Sequence, residues 1–237
     1  MALLRHRGGL GFWLVAAALG ACLVGPVAPA AAYPPADYGP AWWVPASPSN
    51  YARANRPYST RITRIVIHVT VLTYPRTLFA FQNPRSGVSA HYVVRSLDGR
   101  ITQMVHNRDI AWHAGNRYYN ATSIGIEHEA FTNNCGWYTD AMYRASARLV
   151  ASLARRYGIP IDRAHIIGHS EVPDPFRPGR FGGAGGHTDP GVCWNWFKYM
   201  GLVRGYAGLG PRPATSSAPR VVPPRPPASA ATRRLPA

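Results

Sequence analysis

A mixed β-sheet with helices packed against it, an α/β domain, is the fold class this sequence predicts. Three observations carry that expectation. RIVIHV (64–69) and AHIIGH (164–169) are short apolar runs rich in β-branched residues, the signature of buried strands. Between them, TDAMYRASARLVASLARRYGIP sets Met142, Ala145, Leu149, Leu153 and Tyr157 along one helical face. HYVVRSLDGRITQMV (91–105) has the form of a hairpin with Asp98 and Gly99 at its turn. Strands of this kind, separated by an amphipathic helix, bury their faces by stacking in layers.

Taken in order, the chain opens with a segment that reads as a secretion signal, residues 1–32. MALLRHRGG supplies Arg5 and Arg7, LGFWLVAAALGACLVG is an apolar stretch too short to span a bilayer with ease, and VAPAAA ends in small residues that allow cleavage after Ala32. A membrane anchor and lipoprotein processing at Cys22, within LGAC, are the alternatives. Residues 33–57 form an N-terminal arm rich in Pro and aromatics. It is expected to be extended and ordered, because Trp42, Trp43 and Tyr51 favour burial.

Residues 58–204 are the predicted domain. RIVIHV is its first buried strand. PRTLFAFQNP (75–84) holds a short helix, and the hairpin follows. SIGIEHEAF (123–131) is another strand. The long helix starts with Thr139 as its N-cap and stops at Gly158 and Pro160. AHIIGH and a helix in WNWFKYMG (194–201) close the domain. Residues 205–237 are dominated by Pro, Ala, Ser and Arg, too poor in core-forming side chains to fold, and are expected to be disordered. No internal repeat is visible.

The formal net charge is +16, from 26 basic and 10 acidic residues, and only Lys198 among the basic residues is a lysine. Such a balance favours an anionic partner. For an exported chain, anionic polymers of the bacterial wall fit better than nucleic acid. The arginines are scattered and no nucleic-acid-binding motif accompanies them. Stable membrane insertion is not expected, and the protein is expected to act as a monomer. Cleavage after Ala32 removes Cys22 and leaves Cys135 and Cys193, an even pair in an oxidising compartment, which predicts a disulfide. A metal thiolate is the rival role for Cys193.

Chemistry concentrates at a few points. His68 and His169 each end an apolar strand, which aims an imidazole out of the sheet edge. GGHTDPGVCWNW (185–196) adds His187, Asp189 and Cys193. A catalytic zinc takes three protein ligands and keeps one open position, commonly with two imidazoles and one anion. His68, His169 and Asp189 satisfy that, and on ligand type alone Cys193 could replace Asp189. Gly and Pro in FRPGRFGGAGGHTDPG let this loop return beside His169. A base is also needed. In IGIEHE the alternation places Glu127 and Glu129 on one face and His128 on the other. A carboxylate on a buried strand is costly unless it is paired or active. Glu127 is the candidate, with Glu129 as its ion-pairing or hydrogen-bonding neighbour.

IVIHVT, SAHYVV, AWHAGN, SIGIEHE, IIGHSEVP and HTDPG, in this order, resemble the zinc-dependent N-acetylmuramoyl-L-alanine amidases of type 2, relatives of the peptidoglycan recognition proteins. The resemblance covers about residues 40–204. It implies a mixed sheet flanked by helices with a zinc cleft on one side. It further implies Zn2+ ligation by His68, His169 and Asp189, which leaves Cys193 to pair with Cys135. Glu127 matches the family's catalytic Glu. His187 stands where many members carry a Lys, and is expected to steady the oxyanion or donate a proton. Trp112, His113 and Asn116 of AWHAGN are implied to line the substrate cleft, with Tyr92 as a further candidate. His91, His106 and His165 are read as structural. The implied reaction is hydrolysis of the amide between N-acetylmuramic acid and L-alanine in bacterial peptidoglycan. One departure is an insertion, DPFRPGRFGGAGG, that separates His169 from Asp189 by 20 positions and is expected to loosen the zinc loop.

Overall fold

The computed structural model describes residues 35–210. The predicted signal segment with Cys22 and Ala32, and the predicted tail from residue 211 onward, lie outside these residues.

The elements run β1 (Trp42–Trp43), β2 (Tyr51–Ala52), β3 (Arg64–Val69), α1 (Tyr74–Gln82), β4 (Tyr92–Val94), β5 (Ile101–Gln103), β6 (Ile110–Ala111), α2 (Arg117–Thr122), β7 (Ser123–His128), α3 (Asp140–Tyr157), β8 (Ile166–Gly168) and α4 (Trp196–Tyr206). Six strands form one sheet in the order β1-β5-β4-β7-β3-β8, and β2 and β6 form a small second one. Only the β4–β5 hairpin is antiparallel within the large sheet. The α/β class with a mixed central sheet is therefore the observed one.

β3 sits between two parallel neighbours. Parallel strands covered on both faces read as continuous apolar runs, and RIVIHV is one. Its odd positions, Ile65, Ile67 and Val69, join the main core with Ile124, Ile126, Ile166 and the buried face of α3. Its even positions face the other layer, where Val66 packs with Ala114, Ile167 and Val172. α3 follows its predicted boundaries closely. The Thr139 hydroxyl accepts from Met142 N at 3.2 Å, and Gly158 ends the helix at φ 65°, a conformation that costs other residues a Cβ clash.

Several boundaries differ from expectation. β7 ends at His128, because Glu129 turns away to accept backbone bonds from Tyr74 N (2.7 Å) and Ser96 N (2.9 Å). Glu129 is thus a cap for other segments and not the partner of Glu127. α4 continues to Tyr206, whose ring packs against the core and against Arg148, so the folded domain passes residue 204. The arm is ordered, since β1 adds to the sheet edge and β2 pairs with β6. Buried Arg56 anchors it by donating to the carbonyls of Ala121 (3.0 Å), Ser123 (2.8 Å) and Asn107 (2.9 Å). Trp42, however, is 56% exposed, with the Arg100 guanidinium 4.1 Å over its ring instead of a core around it. Trp43 stacks on His106 at 4.0 Å.

Cys135 and Cys193 form a disulfide with Cα atoms 5.0 Å apart. It ties the loop after β7 to the segment just beyond Asp189. Replacing both by Ser is expected to cost about 2–4 kcal/mol in urea unfolding, the usual scale for a closed loop of this length.

His128 lies on the core face of β7. Its Nδ1 donates to His68 O (2.9 Å), Nε2 accepts from Ser146 Oγ (2.7 Å), and Tyr199 OH bonds Ser146 in turn (2.8 Å). Burial pushes the His128 imidazole down to about 3. The unfolded chain therefore binds the extra proton between about pH 6.5 and about pH 3. The His128 contribution is fully present above the unfolded pKa and is lost as pH falls through that window. In metal-free protein, His128→Asn is expected to flatten the acid limb of stability against pH by up to about 1.4 kcal/mol per pH unit. Urea titrations at several pH values check this.

Candidate active site

Backbone register assembles the site. His68 and Glu127 are paired Cα partners on adjacent parallel strands, so their side chains leave the sheet on the same face. Ile67 pairs with Gly168, which puts His169 at the carboxyl end of the next strand. Ligands of open α/β sheets collect in the crevice outside these strand ends. Asp189 is brought there from a distant loop. Its backbone carbonyl accepts from Ser170 N at 2.8 Å, and its Oδ2 accepts from Val69 N at 3.1 Å. A Cβ at Gly168 would lie 2.7 Å from Pro190 Cδ, so only glycine lets the HTDP loop approach this closely.

His68 Nδ1 is 3.4 Å from Asp189 Oδ2, and His169 Nδ1 is 3.1 Å from Asp189 Oδ1. One ligand atom from each of the three residues lies within 4.8 Å of the others, and all three residues are buried. Burial alone would raise the Asp189 carboxyl, but hydrogen bonds from His169 and His68 hold it well below the usual carboxylate range. Burial and the neighbouring His169 lower His68 to about 4. Glu127 Oε2 and His169 Nε2 are buried without a hydrogen-bond partner. Burial, reinforced by the negative charge of Asp189, pushes the Glu127 carboxyl well above its ordinary value. Two imidazoles and a carboxylate, with His169 Nε2 left without a partner, are a donor set that fits a divalent zinc ion. Cys193 cannot serve, because its sulfur is in the disulfide.

The recess opens into a cleft of about 1000 Å3. Trp112, Val71, Leu72 and Phe81 form apolar walls, while His68, Glu127, His169, His187 and Asp189 supply the polar side. Trp112 thus stands where expected. His187 is exposed at the cleft and its ring stacks on His169 at 4.3 Å and 16°. Partial desolvation and that neighbour lower its pKa.

Two expected cleft residues, Tyr92 and Asn116, do something else. Tyr92 is fully buried inside the sheet's core layer and does not line the cleft. The Asn116 side chain caps α2, accepting from Tyr118 N (3.0 Å) and Tyr119 N (3.2 Å), and donates to Pro173 O (2.9 Å). His113 lines the cleft, as expected, and also braces His68. Its Nδ1 is 2.9 Å from His68 Nε2, and its Nε2 is 3.3 Å from Ser123 Oγ. If His68 held a metal ion through Nδ1, its Nε2–H would be left to donate to His113. His113 then donates to Ser123, and Ser123 donates to Tyr119 O at 2.5 Å. This chain of bonds fixes one tautomer of His68. Gly125 makes it possible, since a Cβ there would lie 2.4 Å from the His113 ring. Sequence reasoning missed Ser123 and Gly125, although the alternation in SIGIE puts both on the face of Glu127.

The insertion is closed on itself by hydrogen bonds, contrary to the expected loosening. The buried Asp174 carboxylate accepts from Phe176 N (2.8 Å), Arg177 N (3.1 Å) and Arg177 Nε (2.6 Å). Ala184 N bonds Gly115 O at 3.0 Å, which docks the insertion on the AWHAGN loop. His91 accepts from Gly125 N at 3.0 Å and His165 bonds Asp162 at 2.7 Å, both structural as expected.

The family described as N-acetylmuramoyl-L-alanine amidase matches residues 58–192. The chain belongs to this amidase family. N-acetylmuramoyl-L-alanine amidase A of Achromobacter lyticus is 38% identical over 184 residues, spanning 73% of this chain and 98% of that one. The 1,6-anhydro-N-acetylmuramyl-L-alanine amidase AmpD of Haemophilus influenzae is 33% identical over 123 residues, 49% of this chain and 59% of that one. A crystal structure of a selenomethionine AmpD derivative superposes with a TM-score of 0.53 at 27% identity, covering 70% of this chain and 96% of the other. The amidase is therefore an enzyme on a mixed-sheet fold, and the buried His-His-Asp cluster lies in its main cleft.

His113→Phe is expected to weaken divalent-ion binding by this amidase about 10–100-fold. His113→Asn returns an acceptor oxygen near Nδ1 and is expected to recover most of that loss. Competition against a chelating dye measures the effect without any turnover.

Proposed function

We propose that the chain is a secreted, zinc-dependent hydrolase that cleaves the amide between the lactyl group of N-acetylmuramic acid and L-alanine in bacterial peptidoglycan. The observation that carries this reading is the convergence of His68, His169 and Asp189 beside Glu127, whose Oε2 is buried without a partner. The names of its relatives agree with the bond assigned. Export is supported by the signal-like residues 1–32 and by a disulfide, a bond that persists in oxidising compartments.

His68, His169 and Asp189 would hold the ion. When bound, zinc supplies Lewis-acid polarisation of the scissile carbonyl and lowers the pKa of the attacking water. Glu127 takes a proton from that water and delivers it to the departing amine of L-alanine. Its place in register with His68 on the adjacent strand keeps it within reach of the reacting atoms. His187, steadied on the His169 ring, donates a hydrogen bond to the oxyanion as negative charge develops. Trp112 and the apolar wall exclude water from one side of the substrate.

Mass spectrometry of a digest of purified peptidoglycan is expected to show free stem peptides, and none after chelation. Glu127→Gln is expected to lower kcat by about 100-fold or more while zinc content stays near one per chain. Full turnover by Glu127→Gln, or by chelated enzyme, overturns the reading.

A further inference from the structure

The sheet edge away from the catalytic cleft carries a second depression, of about 510 Å3. It lies between the Tyr38–Trp42 stretch, the hairpin turn at 98–101 and the outer face of α3. Arg100, Arg144 and Arg148 line it. The acid that lines it, Asp98, is already held by Arg95 through two guanidinium nitrogens. Asp140, one turn before Arg144, is shared between Arg144 at 2.7 Å and Lys198. Among the described residues, neither the Arg100 nor the Arg148 guanidinium has a carboxylate within 4.0 Å, although Arg100 N donates to Asp98 Oδ1 at 3.0 Å.

Helix pairing accounts for Arg144, through Asp140 four positions before it, but not for Arg148. Arg144 and Arg148 are four positions apart on α3, a spacing at which like charges repel. The aromatic contacts point instead to preorganisation. Arg100 lies 4.1 Å over Trp42, and Arg148 lies 4.8 Å over Tyr206. A ring beneath a guanidinium restrains it without consuming its N–H donors. Three restrained or neighbouring guanidiniums around one groove suit the oxygens of a phosphodiester, which accept paired N–H bonds.

We propose that this groove binds a phosphate-bearing polymer of the bacterial wall, a polyol-phosphate chain, and so holds the enzyme on its insoluble substrate. The choice of partner rests on the amidase reading above. Nucleic acid offers the same phosphates, but binding of unpaired bases relies on free aromatic faces, and Arg100 covers a face of Trp42 here.

The test uses the full chain and purified poly(glycerol phosphate), with double-stranded DNA and polyglutamate as controls. Binding of poly(glycerol phosphate) is expected to weaken about 20- to 40-fold between about 50 and about 200 mM salt, as when some three phosphates are neutralised. The triple variant R100S/R144S/R148S is expected to bind at least about tenfold more weakly while hydrolysing a soluble muropeptide at the parent rate. On intact walls carrying the polymer its hydrolysis falls, and stripping the polymer from those walls removes the difference. Arg148→Glu, at an exposed position, is a second variant should the triple one fold poorly. Equal polymer binding by variant and parent overturns the proposal, as does tighter binding of DNA or polyglutamate than of poly(glycerol phosphate). The binding measurement needs no turnover, so a parent chain inactive on muropeptide would sink the amidase reading alone.

Discussion

The parallel register of β3 against β7 and β8 is the constraint on which the rest of this molecule depends. It sets His68 beside Glu127 and one step from His169, before any side-chain contact is considered. A slip of one residue would send His68 into the main core and an isoleucine or valine into the cleft, because alternate side chains leave opposite faces. The apolar odd positions of β3 prevent that slip by burying against α3 and the neighbouring strands. The same burial that stabilises the fold therefore aims the catalytic groups. Val69 N then extends the scheme to the loop, since it anchors the Asp189 carboxylate at the end of the strand.

Around this frame lies a set of contacts that the chemistry requires but the ligands do not themselves supply. His113, Ser123 and Gly125 fix one imidazole. Pro190 against Gly168, and the disulfide to Cys193, hold the Asp189 segment near the strand ends. The insertion, folded around Asp174, leans on Gly115 and so links the two loops that flank the cleft. The electrostatics follow from this closure. The Asp189 carboxylate disfavours charge on Glu127 in the shared recess, and a cation held by the His-His-Asp cluster would relieve that repulsion.

Much of this was legible beforehand, for identifiable reasons. Buried parallel strands are apolar throughout, so RIVIHV and AHIIGH announced themselves. Thr139 and Gly158 marked the ends of α3 because capping chemistry is local. The ligand set and Glu127 stood in short motifs with recognisable order. Tyr92 and Asn116 were misplaced for one common reason. Each lies near a motif of the cleft in sequence, but its direction depends on pairing and turn geometry that no local pattern encodes. Trp42 was misjudged because its size favours burial, whereas an edge strand offers a tryptophan an arginine and solvent instead of a core. The insertion looked loose because glycine and proline dominate it, yet a single buried aspartate organises it.

The sequence by itself determined the fold class and the capped helix, which rest on local periodicity and residue chemistry, whereas the candidate donors and the role of Cys193 followed only from motifs shared with the amidase family. Tertiary structure alone decided which histidine supports another and which carboxylate remains without a partner. It also decided where uncompensated arginines gather on the surface. Those properties depend on distances between residues far apart in the chain, and such distances come into being only when strands align and the core excludes water.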